Sequence, residues 1–302
     1  MRVLHSPIHT PAPVLSVVIP FYKDDPTAAI EAIAAQADAR VEVLAWDDGT
    51  ADSALTLRLL QMLQRQGAHC TVFTAPDNAG RSAARNGLVA MARAPWVLFL
   101  DADMLPNDDR FLDRYLNAIE SAEADVIFGG FVVQPTDTPA HRLHWALSQT
   151  SDCADARTRA ALGPKHVASS NLCVRRDVLE AEPFDPAFKG WGWEDSEWAA
   201  RVARRYRVEH IDNPAIHLGL EADDVLLKRF ATSGANYRRF LDAHPDFVVG
   251  LPLYRNAMRL KRLPGQKAAR PLLRAMVKSP LPLRLRVLAI KLWRASHYAE
   301  AV

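Results

Sequence analysis

Trp96–Asp103 reads WVLFLDAD, a run of five apolar residues followed by two acids with one alanine between them. An apolar run of this length is typical of a strand that is buried on both faces of a sheet. Alternation in an extended turn sends the carboxylates of Asp101 and Asp103 the same way, so both can approach one hard cation or one can reach a ribose hydroxyl. The tripeptide alone is equally consistent with a polar loop that ends a buried strand, so the rest of the chain has to decide between a site and a loop.

Three further apolar runs precede this stretch, and a segment typical of a helix follows each of them. Strands are predicted at Val14–Phe21, Val41–Trp46 and His69–Thr74, and helices at Pro26–Gln36, from Asp52 or Ser53 to about Gln66, and at Ser82–Arg93. Four strands that alternate with helices predict a parallel sheet with right-handed crossovers. Later strands are predicted at Val126–Val133 and Ala168–Val174, and the spacing of apolar residues predicts helix over Glu221–Ala243.

Polar and aromatic residues follow three of the predicted strands. Ligands of parallel sheets bind beyond the carboxyl ends of the strands, so these residues are candidates for one site. Asp48 can accept a hydrogen bond from a base N–H group, and Phe21 or Tyr22 can give the base a flat apolar surface. Turn chemistry for Asp48 and core packing for the two aromatic residues are the alternatives.

Asn78–Asn86 (NAGRSAARN) leads from a polar turn into a helix. The free backbone N–H groups of a helix N-terminus and the planar guanidinium of Arg85 suit phosphate oxygens. The alternative is a solvent-facing arginine on an alanine-rich helix.

Gly190–Trp198 (GWGWEDSEW) combines three tryptophans, two glycines and three acids in nine residues. Aromatic rings beside carboxylates suit a sugar, because the rings cover its C–H face while the carboxylates accept from its hydroxyls. A carboxylate in such a partly apolar place can also act as a general base. The alternative is a tryptophan-rich core with acids at a helix N-terminus. His217 lies in an apolar setting, where a histidine is more often structural than a ligand.

The composition excludes several classes of protein. The 302 residues are 49% hydrophobic and 24% charged, which is typical of a globular chain, and no apolar run approaches the roughly 18 residues of a membrane-spanning helix. Three scattered cysteines predict neither a disulfide framework nor a zinc site. Prolines stand where a secretory apolar segment would lie near the N-terminus, so a cytoplasmic protein is expected.

Positive charge is concentrated near the C-terminus. From Arg255 onward the chain holds twelve lysines and arginines against one acid, Glu300, although the net charge of the whole chain is only +2. A basic segment interleaved with leucines predicts an anionic partner, and we expect peripheral attachment to the inner face of a membrane. The alternative is a tail that packs on the globular body. Nucleic acid is not expected, because the tail has few aromatic residues and no recognisable binding motif.

The chain resembles family 2 glycosyltransferases in the order and spacing of four segments, VVIPFYKDD, WDDGTADS, DNAGRSAARNGL and LFLDAD. The resemblance covers about residues 14–220. Gly190–Glu197 resembles the Gly-Trp-Gly-x-Glu-Asp-x-Glu motif of members that transfer galactose or N-acetylgalactosamine. Two positions depart from the family pattern. The glycine after Ala84-Arg85-Asn86 comes one residue early, as Gly87, and Trp193 replaces the small residue usual before Glu-Asp.

The resemblance implies the GT-A fold, a Rossmann-like α/β architecture of nucleotide-diphospho-sugar transferases with a mixed sheet and flanking helices. We expect the glycosyltransferase domain at residues 1–222 and a basic, helical C-terminal extension at residues 223–302. The resemblance also implies a metal site, in which Asp103 binds the ion, Asp101 bridges ribose and metal-bound water, and His217 completes the metal shell. Mixed carboxylate and imidazole ligands favour Mn²⁺ over Mg²⁺.

The resemblance further implies which residues meet the substrates. Those expected at the nucleotide-sugar donor are Pro20, Phe21, Tyr22, Asp48, Arg85, Asp101, Ala102 and Asp103. Trp191, Gly192 and Trp193 are expected at the sugar or the acceptor. The acidic pair Glu194-Asp195 supplies the catalytic base, which we assign to Asp195.

The implied reaction is the metal-dependent, inverting transfer of a hexose or N-acetylhexosamine from a UDP-sugar to a hydroxyl of a glycan or lipid-linked acceptor, in bacterial-type surface polysaccharide or glycolipid synthesis. A nucleotidyltransferase on a similar sheet is one alternative, but it is expected to carry a glycine-rich phosphate loop after the first strand, and IPFYKDDP has none. A non-catalytic sugar-nucleotide-binding protein is another, but it has no need of Glu194-Asp195.

Overall fold

The centre of the fold is a mixed sheet of eight strands. The computed structural model of the chain describes residues 1–121 and 123–302. In chain order the strands are β1 (Arg2–His5), β2 (Leu15–Phe21), β3 (Val41–Asp47), β4 (His69–Thr74), β5 (Trp96–Leu100), β6 (Met104–Pro106), β7 (Val126–Phe128), β8 (Phe131–Val132), β9 (Asn171–Arg175), β10 (Val208–His210) and β11 (Ala215–His217). The large sheet has the order β1-β4-β3-β2-β5-β9-β7-β10, and a small second sheet has the order β6-β11-β8.

The four strands predicted in the first hundred residues are confirmed. β4, β3, β2 and β5 are neighbours and run parallel. β1 is antiparallel to β4, and β9 is antiparallel to both β5 and β7, which makes the sheet mixed. β1 is not predicted from the sequence, since its four residues (RVLH) contain only two apolar side chains and no alternation.

Helices cover both faces of the large sheet. In chain order the α-helices are α1 (Thr27–Ala34), α2 (Ser53–Leu63), α3 (Arg81–Met91), α4 (Phe111–Ser121), α5 (Arg142–Ser151), α6 (Ala156–Leu162), α7 (Arg176–Ala181), α8 (Glu194–Val202), α9 (Asp223–Thr232), α10 (Gly234–Ala243), α11 (Pro245–Val249), α12 (Pro252–Lys261), α13 (Arg270–Lys278) and α14 (Leu283–Tyr298). Side chains alternate along β2, so Val17 and Ile19 pack on one face with α1, α2 and α4, while Val18 packs on the other with α3, α7 and α8. The expected α/β fold with a mixed sheet and flanking helices is confirmed.

The single strand predicted over Val126–Val133 is wrong, because two glycines divide it into β7 of the large sheet and β8 of the small one. A side chain at Gly129 would lie 2.3 Å from the hydroxyl of Tyr115, and Gly130 has a φ of +78°. The chain turns here, and β8 then pairs in parallel with β11. β11 pairs antiparallel with β6, which sets His217 opposite Met104 at the end of the large sheet.

The chain after residue 222 is helical. The single helix predicted over Glu221–Ala243 is instead two helices, α9 and α10, which meet at Ser233. The final helix α14 packs against α5, α9, α12 and α13, and its Ile290 shares an apolar cluster with Leu143 of α5 and Phe230 of α9. Within residues 1–121 and 123–302, no helix is both long enough and apolar enough to cross a membrane. The domain boundary at residue 222 stays a prediction.

Candidate active site

Asp48 ties two loops together at the carboxyl end of β3. Its buried carboxylate accepts hydrogen bonds from the backbone N–H groups of Ala79 (3.0 Å) and Gly80 (2.8 Å) and from the side chain of Asn78 (2.8 Å). The adjacent Gly49 has a φ of +82°, and a side chain there would lie 2.6 Å from the backbone of the second loop. Asp48 therefore fixes the loop that leads into α3, while its role in binding a base stays a prediction.

The two aromatic residues after β2 differ in exposure. Phe21 is buried in the core, whereas Tyr22 is 40% exposed. Tyr22 is therefore the one that can present a ring to a ligand. Pro20 lies within β2 beside Trp46 of β3, and Ala102 is buried at the end of β5.

Arg85 lies among the acidic residues of the site. Its Nη1 is 3.4 Å from Glu194 Oε1 and 3.3 Å from Asp195 Oδ1, and its Nη2 is 3.5 Å from Asp101 Oδ1. Burial acts to lower the pKa of Arg85, but the three carboxylates outweigh it and raise this pKa above its ordinary value, so the guanidinium stays charged. The alternative of a solvent-facing arginine is wrong, because the side chain is buried. Its contact with phosphate stays a prediction.

The acidic pair begins helix α8. Glu194 is its first residue, and Asp195 is held by Ser169, whose hydroxyl donates to Oδ1 (2.8 Å) and whose backbone N–H donates to Oδ2 (3.2 Å). The side chain of Asp195 is 26% exposed and that of Glu194 is 6% exposed. Burial, together with the charge of Asp195, raises the pKa of Glu194. Asp195 is therefore the acid of the pair that a substrate can reach.

Asp103 and His217 form the other end of the site. Nε2 of His217 lies 3.2 Å from Oδ2 of Asp103, although the two residues are 114 positions apart in the chain. Gly219 leaves room for this contact, because a side chain there would lie 1.9 Å from the Asp103 oxygen and 3.0 Å from the histidine nitrogen. The pairing of β11 with β6 thus brings a carboxylate and an imidazole together over a glycine.

The expected metal site of Asp101, Asp103 and His217 stays a prediction. Within the described residues, no three His, Cys, Asp or Glu side chains are placed to hold one metal ion. The carboxylate of Asp101 lies beside Arg85, whereas Asp103 lies beside His217. One carboxylate and one imidazole fit a divalent ion whose other ligands would come from a diphosphate and water.

Several titratable residues near this pair were not singled out from the sequence. Nδ1 of His144 accepts a hydrogen bond from the backbone N–H of Glu221 (2.8 Å), and its ring centroid lies 5.8 Å from that of His217. Burial and the charges of His217 and Arg229 lower the pKa of His144 to about 4, so this imidazole is neutral at physiological pH. Burial also raises the pKa of Asp24, which belongs to the motif VVIPFYKDD. His144, Glu221 and Arg229 belong to no motif that indicates a site, so only the fold shows that they lie near this pair.

The residues expected at the sugar contact the C-terminal helices. Trp191 packs edge to face with Phe230 of α9, with ring centroids 5.6 Å apart. Trp193 donates its Nε1–H to the hydroxyl of Tyr298 in α14 (2.8 Å), and the carbonyl of Gly192 accepts from an asparagine of α10 (3.0 Å). These residues join the acidic pair to the helices after residue 222, and their role at a sugar stays a prediction.

A family model described as glycosyl transferase family 2 matches residues 16–181, which is more than half of the chain. The match ends before Glu194, Asp195 and His217, so the family model does not cover these three residues. No match to a curated protein reaches significance.

Solved structures share the fold over nearly the whole chain. The mannosyltransferase PcManGT from Pyrobaculum calidifontis, in complex with GDP-Man and Mn²⁺, is 17% identical with a TM-score of 0.64, and 96% of this chain and 87% of that chain are covered. S. aureus TarS 1-349 in complex with UDP-GlcNAc is 16% identical with a TM-score of 0.54, and 95% of this chain and 90% of that chain are covered. Coverage this high includes the C-terminal helices, so these helices are part of the shared fold.

Proposed function

Because this chain belongs to glycosyl transferase family 2, we propose that it transfers a hexose or N-acetylhexosamine from a UDP-sugar to an acceptor hydroxyl, with inversion at the anomeric carbon. We propose that the reaction depends on a divalent metal ion, with residues 1–222 as the catalytic domain and residues 223–302 as its helical extension. The GT-A fold expected from the sequence is confirmed by the mixed sheet and by the structural relatives.

One arrangement carries this proposal, the meeting of Asp101, Glu194 and Asp195 around Arg85. It joins the acid after β5, where a donor is expected to bind, to the acids that begin α8. A protein that only binds a sugar nucleotide needs the first of these acids. A transferase needs both ends, because it also has to take a proton from the acceptor.

In the proposed reaction, Asp195 accepts the proton of the acceptor hydroxyl. The acceptor oxygen bonds to the anomeric carbon while the bond from that carbon to the diphosphate oxygen breaks, so the configuration inverts. Ser169 holds the carboxylate through two hydrogen bonds, and Arg85 links it to Asp101. Asp103 and His217 would hold the metal ion, which supplies positive charge against the departing nucleoside diphosphate.

The donor is tested by nucleotide release. One structural relative was solved with UDP-GlcNAc and another with GDP-Man, so a panel with Mn²⁺ has to contain both UDP- and GDP-sugars. We expect UDP to be released from a UDP-hexose or a UDP-N-acetylhexosamine, by transfer or by slow hydrolysis. Release of GDP alone would contradict the proposed donor, and no release from any sugar nucleotide would contradict the proposed activity.

We also propose that the helical extension lies on the anionic inner face of a membrane, beside a lipid-linked acceptor of surface polysaccharide or glycolipid synthesis. On α14, five residues at helical spacing are exposed and form one stripe, Arg284, Leu285, Leu288, Lys291 and Leu292. Leucines between basic residues suit the interface of an anionic bilayer, where each Lys or Arg near the surface is worth about 1 kcal/mol. α14 also packs on α5, the helix that carries His144, so the stripe and the site belong to neighbouring elements.

Sedimentation with phosphatidylcholine vesicles tests this surface. We expect binding to rise as phosphatidylglycerol is added and to fall with salt, because charge attracts the stripe to the bilayer. The variant Arg284→Gln with Leu288→Gln is expected to bind more weakly. Leu57→Gln is the matched control, since Leu57 on α2 is 55% exposed and Leu288 is 51% exposed. No binding to the anionic vesicles, or an equal loss in the control, would contradict the proposed surface.

A further inference from the structure

Trp193 has an unusual backbone conformation. Its φ is +79°, in the left-handed region that residues with a side chain adopt only at a cost. Gly190 and Gly192, which both precede Trp193, also have positive φ, yet a side chain at either position would meet nothing within 4 Å. Crowding at the glycines therefore does not impose this turn, so contacts of the tryptophan side chain have to hold it.

The C-terminal helices supply these contacts. Tyr298 of α14 is fully buried, its hydroxyl accepts the hydrogen bond from Trp193 Nε1 (2.8 Å), and the same hydroxyl lies 2.6 Å from Oγ of Ser233. A phenol oxygen that accepts from the indole can donate its own hydrogen to the serine. The guanidinium of Arg294 lies 4.9 Å from the ring centroid of Trp193 and 5.3 Å from that of Tyr298, within the range of cation–π attraction. The turn is thus held by side chains from outside its own segment.

The acidic pair follows this turn directly. Trp193 precedes Glu194, the first residue of α8, so its orientation determines where the first turn of the helix places Asp195. On the basis of the proposed function, we infer that Tyr298 is a positioning residue for Asp195 and acts through Trp193 without touching substrate. The hydrogen bond also gives a reason for tryptophan at this position, since the indole N–H is the atom that Tyr298 binds.

Tyr298→Phe tests this inference, because it removes one hydroxyl and keeps the ring that stacks on Tyr237 with centroids 4.6 Å apart. We expect kcat for UDP release to fall about ten- to hundred-fold, the scale on which a small displacement of a reacting group lowers a rate. The KM for the donor and the affinity for UDP are expected to stay unchanged, because Asp103 and His217 are untouched.

Tyr237→Phe is the matched control. The hydroxyl of Tyr237 is also buried in the same cluster, but it has no hydrogen-bond partner in the described part of the chain, so its removal is expected to leave kcat unchanged. Trp193→Phe removes the same hydrogen bond from its other side. It is expected to lower kcat as Tyr298→Phe does, and the double variant is expected to show no further loss.

Hydrogen exchange at amides 193–198 gives a readout that needs no turnover. We expect faster exchange there in Tyr298→Phe and not in Tyr237→Phe. Tyr298→Phe protein with a lower melting temperature but an unaltered kcat would overturn the inference, and so would an equal loss of kcat in the control. If the unaltered protein releases no nucleotide from any donor, the proposed function fails. The exchange comparison then still decides whether Tyr298 orders the turn, and equal exchange in both variants would overturn that as well.

Discussion

Asp195→Asn is expected to lower kcat for sugar transfer by about 10²- to 10⁴-fold and to leave UDP binding nearly intact. The amide has almost the same shape as the carboxylate, and its oxygen can still accept the hydrogen bond from the Ser169 hydroxyl (2.8 Å). It cannot take the proton of the acceptor. Initial rates of UDP release measure the loss, and titration calorimetry with UDP measures the binding that is expected to remain.

Glu194→Gln is the comparison that makes this result specific. Glu194 is the adjoining acid and lies 3.4 Å from the same arginine, but its side chain is 6% exposed and so is hardly open to an acceptor. We expect a much smaller effect on kcat than for Asp195→Asn, provided that both variants melt as the unaltered protein does. A near-normal rate in Asp195→Asn together with a large loss in Glu194→Gln would assign the base to Glu194.

The second large effect is expected when Asp103 is replaced or the metal ion is removed. Asp103→Ala, or EDTA added to the unaltered protein, is expected to abolish turnover and metal-dependent UDP binding together. In Asp103→Ala, the imidazole nitrogen of His217 is left without the carboxylate as a ligand for the ion. Several kcal/mol of transition-state stabilisation depend on the ion, which corresponds to a loss of at least about 10³-fold in rate. After EDTA, Mn²⁺ is expected to restore the unaltered protein better than Mg²⁺ does, because one ligand is an imidazole.

Asp113→Ala is the control for this experiment, since Asp113 is an exposed acid on the surface helix α4. Its turnover and its response to metal are expected to match those of the unaltered protein. Full turnover in EDTA would contradict metal dependence. UDP binding by Asp103→Ala that still increases with Mn²⁺ would place the ion elsewhere.

The alternation of strands and helices from β2 to β5 could be predicted from the sequence. β2 to β5 are apolar runs separated by amphipathic helices, and that alternation alone specifies parallel neighbours. The run Val126–Val133 has the same apolar character, but hydropathy does not report which sheet a strand joins. A side chain at Gly129 would meet the hydroxyl of Tyr115, and Tyr115 packs there only once α4 covers the sheet.

The residues of the site could be predicted from the sequence more readily than the side chains that contact them. Asp103, Asp195 and His217 stand in recognisable segments, and the resemblance to a family placed them together. Arg85 could not be assigned its three carboxylates, because these lie 16 to 110 positions away and only the finished fold brings them within reach. His144 has no motif around it, and no pattern in its helix marks it as a neighbour of His217.

The hydrogen bond between Trp193 and Tyr298 spans 105 residues of chain, and the ribosome makes these residues in one direction. When the strands and α8 have left the ribosome but α14 has not, Trp193 still lacks its partner Tyr298. Domains generally fold as units, with the N-terminal domain first during synthesis, so the proposed domain of residues 1–222 can form its sheet before α14 exists. The protein would then reach its full rate of sugar-nucleotide turnover only after α14 has docked, and unfinished chains would turn over sugar nucleotide more slowly.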